Sequence, residues 1–206
     1  MEKTIKIIFV RHGESEKDVL HIHSCGLDNF PLTEKGREEV KKIADKINDK
    51  IDIIISSPIL RARETAKIIN KKVKQKIIIE KEISEYDWGI WNDVLKNELL
   101  NDFSDYKDYK KLDPQKRFNY RLGKIGESRA EVVKRVKKFI KKLVKNYLGE
   151  TVLLVSHGGI SAAIHKVLED CSFDEYFKHE KLDHNTIQYF IVDGDLKLIK
   201  YQSKNY

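Results

Sequence analysis

Two histidines stand in matching positions, each preceded by an apolar run and followed by glycine. His12 follows Phe9–Arg11, and His157 follows Val155–Ser156. In open α/β sheets, ligand sites gather beyond the carboxyl ends of the strands. Glycine after each histidine permits a tight turn and lets backbone N–H groups approach an anion closely. The two histidines lie far apart in the chain, but adjacent parallel strands would bring them together.

A third basic residue, Arg61, falls in the first turn of a predicted helix that follows Ser56–Pro58. Together with Arg11, beside His12, it would place two arginines and two histidines at one edge of a sheet. Planar guanidinium groups match phosphate oxygens bidentately, so such a pocket suits a phosphate dianion. Each feature alone has an ordinary alternative, because His-Gly after a strand is common and a lone arginine more often lies on a helix surface. The hypothesis depends on their coincidence.

The composition excludes several classes of protein. The 206 residues include 40 Lys or Arg and 33 Asp or Glu, a formal charge of +7, which is typical of a solvated surface or of attraction to an anionic partner. Cys25 and Cys171 are too few and too far apart for a disulfide framework or a four-thiolate metal site. The apolar run Ile5–Val10 is too short for a secretion signal or a membrane span. We therefore expect a cytoplasmic protein that does not bind membranes.

Apolar runs alternate with helical patterns along the chain, which is typical of an α/β fold with crossover helices. The predicted strands are Ile5–Val10, Asp52–Ser56, Lys76–Ile79, Thr151–Ser156, Thr186–Val192 and Leu196–Tyr201. The predicted helices are Glu34–Asn48, one that begins near Pro58, Glu127–Tyr147 and one near Ile160–Leu168. The order predicts a three-layer α/β/α sandwich with a mostly parallel central sheet and a small cap insertion.

The middle segment, about residues 91–125, breaks the alternation. It is rich in Lys, Asp and Tyr without a clean period, so we predict that it forms a cap within a single domain spanning residues 1–206. Its aromatic residues could form a substrate-selecting lid or could pack inward beneath a solvated cap; they are Tyr106, Tyr109, Phe118 and Tyr120. Basic and aromatic residues mix here as in nucleic-acid patches, but no recognition motif accompanies them, and we expect no nucleic-acid partner.

Five motifs together resemble the histidine phosphatase superfamily, also called the phosphoglycerate mutase-like family. They are Arg11–Glu14, Pro31–Gly36, Ser56–Ala66, Gly126–Ser128 and Val155–Gly159. They occur in the family's order and cover essentially the whole chain except the middle segment. The Arg-His-Gly motif alone is short, whereas the ordered set is highly specific.

The resemblance implies a role for each matching residue. His12 matches the nucleophile that becomes transiently phosphorylated, and Arg11, Arg61 and His157 match the residues that hold the phosphoryl group. The physical logic agrees, since a nucleophilic imidazole must be neutral and neighbouring guanidinium groups disfavour its protonated form. The same cations stabilise the charge of the transferring group. Neither a metal ion nor another cofactor is expected.

Glu85, in the segment Ile83–Trp91, matches the acidic residue that the family uses as proton donor. A carboxylic acid that protonates the leaving alkoxide contributes roughly 10²–10⁴ in rate; the alternative is an ordinary loop carboxylate. Ser24 lies on a loop that could reach the phosphate, although a plain loop residue explains it equally well. Gly158, directly after the second histidine, joins the predicted substrate-binding residues Arg11, Arg61, His157 and Ser24.

Two features near the first motif leave alternatives open. Asp18 stands where many family members carry an asparagine that helps bind phosphate. Its carboxylate could weaken phosphate binding, accept a substrate hydroxyl, or face a lysine such as Lys17. The stretch His21–Cys25 offers metal-ligand side chains, but no matching pair occurs elsewhere, so no metal site is predicted. Structural roles are expected for three other histidines, His165, His179 and His184.

The predicted function is metal-independent hydrolysis of a small phosphorylated substrate through a phosphohistidine on His12. A phosphoglycerate mutase-type transfer is the first alternative. The phosphoglycerate mutases of the family that this chain resembles carry a paired-arginine clamp in their middle insertion, and the middle segment here lacks that pattern. A catalytically inactive protein that binds a phosphorylated ligand is the second alternative. It is disfavoured because all five predicted catalytic residues are present; these are Arg11, His12, Arg61, Glu85 and His157. The oligomeric state and the identity of the substrate stay open.

Overall fold

Six strands form one central sheet in the computed structural model, which describes residues 3–27 and 29–206. The strands are β1 (Thr4–Arg11), β2 (Ile53–Ser56), β3 (Ile77–Ile79), β4 (Thr151–Ser156), β5 (Thr186–Asp193) and β6 (Leu198–Asn205). Their order is β3-β2-β4-β1-β5-β6. The first four in this order are parallel, β5 is antiparallel to β1, and β6 is antiparallel to β5. The predicted mostly parallel sheet is confirmed.

The helices connect these strands and form the outer layers. They are α1 (Glu16–Val19), α2 (Glu34–Lys46), α3 (Leu60–Val73), α4 (Lys96–Asp102), α5 (Ser104–Lys111), α6 (Pro114–Asn119), α7 (Arg129–Tyr147), α8 (Gly158–Glu169) and α9 (Phe173–His179). None of the helices in the described ranges combines the length and the apolar composition needed to cross a membrane.

The alternation of side chains along the strands creates two separate cores. On β1, Ile8 and Val10 pack with Val40 of α2 and Ala62 of α3, whereas Ile7 and its neighbours pack on the opposite face with α7 and α8. Successive strand residues point to opposite faces, so a sheet that is apolar on both faces must be covered on both. This is the three-layer α/β/α arrangement that the sequence predicts.

Capping side chains start α2 at the predicted residue and α7 two residues after its predicted start. Thr33 Oγ1 accepts a hydrogen bond from Gly36 N at 2.9 Å, and the Glu131 carboxylate accepts one from Ser128 N at 2.8 Å. Each such cap typically contributes about 1 kcal/mol. The prediction that Pro58 lies near the start of α3 is close to the structure, but the proline stands outside the helix.

The middle segment consists of α4, α5 and α6, joined by short turns. Trp91, Tyr106 and Tyr109 belong to the same buried cluster as the face of the sheet under α7, and Phe118 is buried against Tyr176 of α9. Tyr106 and Tyr109 also line the cavity of the candidate site described below, so the two arrangements that the sequence left open both remain compatible with the structure. Helix α9 was not predicted, although its Ser-x-x-Glu capping box is visible in the sequence.

The β5–β6 hairpin is present, but its turn is longer than Asp193-Gly194-Asp195 predicts. The Asp193 carboxylate accepts hydrogen bonds from the backbone N–H groups of Asp195, at 3.0 Å, and Lys197, at 2.8 Å. These bonds stabilise a wider loop than the two-residue turns that Asp-Gly favours. The last strand consequently begins at Leu198, two residues later than predicted.

Candidate active site

Strand register brings the two histidines together. Arg11 on β1 and Ser156 on β4 are partners on adjacent parallel strands, so His12 and His157 leave the sheet side by side. Their ring centroids lie 5.1 Å apart, and both side chains are buried. The backbone N–H of His12 donates to Ser156 O at 2.9 Å, which continues the pairing one residue past the strand.

The hydrogen bonds of His12 define which ring nitrogen is free to react. Nδ1 lies 2.8 Å from Gly13 O, and because a carbonyl oxygen only accepts, Nδ1 carries the hydrogen. Nε2 therefore bears the lone pair, and Arg61 Nε donates to it at 3.2 Å. Burial, together with the positive charge of Arg61, holds the pKa of His12 well below its ordinary value. The imidazole is thus neutral, with its lone pair on Nε2.

The ring of His157 is oriented by Ser57, at the end of β2. Nε2 lies 2.8 Å from Ser57 Oγ, which already accepts a hydrogen bond from Ile59 N at 3.3 Å. The hydroxyl can donate its hydrogen to His157 Nε2 or accept one from it, and when it donates, the ring hydrogen is on Nδ1. Burial, followed by the charges of Arg61 and Lys17, lowers the pKa of His157. This second imidazole is neutral, and with its hydrogen on Nδ1 it can donate from that atom, which has no partner in the described chain.

Three buried donors in the site have no hydrogen-bond partner within the described chain. They are Arg11 Nε, Arg61 Nη1 and His157 Nδ1. Leaving a buried donor unsatisfied typically costs about 1–3 kcal/mol, and more for a charged group. Other atoms of the two guanidinium groups are held in place, since Arg61 Nη2 donates to Ser24 O at 3.0 Å and Arg11 Nη1 donates to Leu182 O. The site therefore offers pre-oriented donors to an oxyanion.

Asp18 faces cations rather than the centre of the site. Its carboxylate accepts hydrogen bonds from Lys17 Nζ at 2.7 Å and Arg11 Nη2 at 3.4 Å, and from Ser15 Oγ at 2.6 Å. Burial opposes its ionisation, but Lys17, His184 and Arg11 together hold its pKa well below the usual range. Of the three alternatives for Asp18, the structure favours the one in which it pairs with Lys17.

Glu85 projects over the first turn of α8. A Cβ atom added at Gly159 would lie 2.5 Å from Glu85 Oε1 and 2.1 Å from the Tyr86 ring, so only glycine lets this loop approach the helix. Burial raises the pKa of Glu85, while Arg61 and Lys17 act in the opposite direction without reversing the shift. The side chain is only half-buried, so this carboxyl group can retain a proton and still meet a ligand.

The other two predicted binding residues also reach the site. Ser24 is buried, and its hydroxyl accepts a hydrogen bond from Gly26 N at 3.3 Å while its carbonyl holds Arg61. Gly158 is the first residue of α8, where a Cβ atom would lie 2.4 Å from Glu180 O. The N-terminus of a helix favours an anion, so Gly158 occupies a suitable place for binding phosphate.

These residues surround a cavity of about 340 Å³, which is the size of a pocket for a small molecule. Arg11, Ser24, Glu85 and Gly158 line it, and His12 lies buried beneath them. Sequence reasoning missed several residues that line or support the cavity: Lys17, Ser57, Arg129, Glu180 and His184. A signal for Arg129 was present, because it lies three residues before Val132 on the buried stripe of α7.

Two groups of side chains in the described ranges have the residue types of a metal site. His12, Asp18 and His184 form one, but Lys17 and Arg11 already neutralise the carboxylate, which makes the group unsuited to a divalent cation. The other is His165, Glu169 and His179, where the two imidazole rings stack at 3.6 Å and 9°. Stacked rings do not direct their lone pairs to one point, so the orientation of these two rings does not favour a metal ion at the second group.

The histidines assigned structural roles have partners that the sequence did not show. His165 Nδ1 lies 2.8 Å from Glu169 Oε2. His184 Nδ1 donates to His12 O at 2.5 Å, so His184 supports the backbone of the predicted nucleophile. In the His21–Cys25 stretch, His23 stacks on Trp88 at 3.5 Å. These contacts give the side chains packing and positioning roles.

Comparison with known proteins identifies the family in which this arrangement of residues occurs. The profile of the histidine phosphatase superfamily, branch 1, matches residues 7–201. The chain belongs to this superfamily. The match includes the second half of β1, all of β4 and every residue that the sequence predicted for the site.

Three members of the superfamily illustrate its range. Phosphoserine phosphatase 1 of Hydrogenobacter thermophilus is 32% identical over 155 residues, which cover 74% of this chain and 71% of that protein. The 2,3-bisphosphoglycerate-dependent phosphoglycerate mutase of Bifidobacterium longum is 27% identical, with coverage of 85% and 81%. The crystal structure of phosphoserine phosphatase from Entamoeba histolytica, in complex with 3-phosphoglyceric acid, aligns with a TM-score of 0.77 and 26% identity and covers 97% of this chain and 98% of that one.

Proposed function

We propose that the protein is a metal-independent phosphomonoesterase that hydrolyses a small phosphorylated metabolite through a phosphohistidine on His12 Nε2. The observation that carries the proposal is the buried, neutral His12 ring, whose lone pair on Nε2 lies among the unpaired donors of Arg11, Arg61 and His157. This combination suits transfer of a phosphoryl group better than any other reaction class, because it joins a neutral nucleophile to donors for several oxygens.

In the first step, His12 Nε2 attacks phosphorus and the bond to the ester oxygen breaks. Arg61 Nε turns from Nε2 to a phosphoryl oxygen, and Arg11 and His157 donate to the others. The leaving alkoxide takes the proton of Glu85, whose raised pKa keeps a protonated form available. The products are the phosphohistidine, a free alcohol and the Glu85 carboxylate.

In the second step, water attacks the phosphohistidine. The Glu85 carboxylate accepts a proton from the water, the bond between phosphorus and Nε2 breaks, and inorganic phosphate leaves. His12 regains its lone pair, and Glu85 regains its proton. The positive charge of Arg11 and Arg61 stabilises the phosphoryl oxygens in both steps, so the cycle needs no metal ion.

A phosphoglycerate mutase-type reaction is the second candidate, favoured by the similarity to the Bifidobacterium longum mutase. It would use the same phosphohistidine but return the phosphoryl group to the substrate instead of to water. The phosphatase is preferred because the relative named phosphoserine phosphatase 1 is 32% identical to this chain, whereas the mutase is 27% identical. Incubation with 3-phosphoglycerate, scored for both isomerisation and free phosphate, separates the two.

We also propose that residues 1–206 form a single domain with the middle segment as its cap. The packing of Trp91, Tyr106 and Tyr109 in the same buried cluster as the sheet supports this. We further propose that the protein binds a small phosphorylated substrate, does not bind nucleic acid and is located in the cytoplasm. Activity in the cytoplasmic fraction of the source cell tests the location.

The direct test is the release of phosphate by the His12→Ala variant. We expect wild-type protein, freed of metal with a chelator, to release phosphate from simple phosphomonoesters and the variant to release none above background. The matched control is His21→Asn, because His21 is exposed, lies outside the cavity and has a positive φ of 55° that asparagine tolerates. Equal release by His12→Ala and wild type would contradict the proposal.

A further inference from the structure

The cavity holds more positive charge than one phosphate group requires. Besides Arg11, six cations line it. Lys17 pairs with Asp18 and Arg129 with Glu180. The other four are here called the cationic cluster: Lys96, Lys110, Arg117 and Lys181. None of the four forms an ion pair with a carboxylate in residues 3–27 or 29–206. Burial and the neighbouring charges of Arg117, Lys181 and Lys96 lower the pKa of Lys110. The three lysines are exposed to solvent, whereas Arg117 is half-buried and its buried Nε has no hydrogen-bond partner in the described chain.

Arg129 lies beside this cluster with one donor unused. It is 1% exposed and lines the cavity. Its Nε donates to Glu180 Oε1 at 2.6 Å and its Nη2 to Glu180 Oε2 at 3.4 Å, which leaves Nη1 with no hydrogen-bond partner in the described chain. A buried guanidinium held on two nitrogens and free on the third is suited to bind one further oxyanion.

Arg117 and Arg129 contact the same two aromatic rings. The guanidinium carbon of Arg129 lies 5.6 Å from the centroid of the Tyr109 ring and 5.1 Å from that of Phe177. The guanidinium carbon of Arg117 lies 5.3 Å and 4.4 Å from the same two centroids. The same two rings thus hold both guanidinium groups by cation–π interactions, and both arginines line the cavity. A ligand in the cavity can therefore reach either residue.

We propose that Arg129 Nη1 and the cationic cluster bind a second anionic group of the substrate. The substrate class is then a small phosphomonoester that also carries a carboxylate or a second phosphate. An ester with an uncharged tail would leave the buried Nε of Arg117 and Nη1 of Arg129 without an acceptor inside the cavity, and an unsatisfied buried donor is costly. This inference rests on the proposed function, which places the reacting phosphate at His12, Arg11 and Arg61.

Binding to the full-length His12→Ala variant, which cannot turn the ligand over, tests the inference by calorimetry. The probes are 3-phosphoglycerate, with a carboxylate, ethanediol bisphosphate, with a second phosphate, and glycerol 3-phosphate, with an uncharged tail. We expect at least one doubly anionic probe to bind with a Kd about ten- to a hundred-fold below that of glycerol 3-phosphate, as for one or two charge-assisted hydrogen bonds. The probe that gains more identifies the second group. Equal Kd values for all three would overturn the inference.

Variants in the same background locate the site. Arg117→Gln should reduce the preference for the doubly anionic probe to about a third or less, and Arg129→Met combined with Glu180→Gln should abolish it; removing both partners avoids a buried, unpaired Glu180. Arg121→Gln is the control, because Arg121 pairs with Glu131 outside the cavity. If the double variant does not fold, Arg117→Gln alone decides. An unchanged preference in Arg117→Gln would overturn the inference.

The two proposals fail in distinguishable ways. Wild-type protein that hydrolyses phosphomonoesters without any preference in binding contradicts only the second anionic group. A preference for the doubly anionic probe without any hydrolysis contradicts the proposed function and leaves a protein that binds such compounds. Measured hydrolysis of p-nitrophenyl phosphate, which has no second anionic group, gives the reference rate for the first proposal.

Discussion

His12 and Glu85 occupy environments that shift their pKa values in opposite directions. Burial lowers the pKa of the imidazole, assisted by Arg61, and burial raises the pKa of the carboxyl group, against the effect of Arg61. Loss of solvent disfavours the charged form of each group. The two pKa shifts therefore favour the neutral form of each group, the forms that the proposed phosphoryl transfer uses.

Glu85→Gln should distinguish substrates by their leaving groups. Removal of the acid should lower kcat/KM for alkyl phosphates by roughly 10²–10⁴, because an alkoxide leaves only with a proton. p-Nitrophenolate leaves without one, so p-nitrophenyl phosphate should lose less than about ten-fold. Steady-state kinetics with both substrates measures the difference. Equal losses would show that Glu85 acts in some way other than as an acid.

The pH dependence of the phosphorylation step should report the same group. Because the pKa of His12 is lowered, its imidazole is neutral at neutral pH and does not limit the rate there. Because the pKa of Glu85 is raised, the protonated acid persists above the ordinary range and is lost as the pH rises through that pKa. Single-turnover cleavage of an alkyl phosphate should fall along this basic limb, and Glu85→Gln should remove the limb. A limb that survives in Glu85→Gln belongs to another group.

The helix α7 starts with a cap that also places Arg129 at the cavity. Ser128→Ala removes a hydroxyl that pairs with Glu131, and should lower the free energy of unfolding by about 1 kcal/mol. Urea denaturation measures this, with Ser203→Ala, at an exposed position of β6, as a control within about 0.5 kcal/mol of wild type. A full 1 kcal/mol loss in the control, or none in Ser128→Ala, would contradict the role of the cap.

The sequence predicted well the helices that begin with a recognisable N-cap residue and carry apolar residues at helical spacing. Thr33 and Ser128 start α2 and α7 within two residues of prediction. The sequence did not show where α3 begins, because proline near a helix start is compatible with several positions. Likewise, Asp193-Gly194 favours a short turn, and only the hydrogen bonds of the Asp193 carboxylate reveal the wider loop.

Part of the site was not predicted because it depends on contacts between residues far apart in the sequence. The motifs indicated that strand ends would gather His12 and His157, and the β1–β4 register brings them together. The pairing of Arg129 with Glu180 joins α7 to the end of α9, across 51 residues, and no local pattern specifies it. The strand order β3-β2-β4-β1-β5-β6 is similarly a property of the assembled sheet. The charge of +7 suggested an anionic partner, but only the cavity shows where its cations converge.

Trapping the phosphorylated protein tests the central claim most directly. Wild-type protein mixed with a ³²P-labelled phosphomonoester and quenched within the first turnover should carry label that is stable in base and labile in acid, as expected of phosphohistidine. Mass spectrometry should place the phosphoryl group on His12, and His12→Ala should carry none. Label on another residue, or hydrolysis at full rate in His12→Ala, would contradict the covalent mechanism.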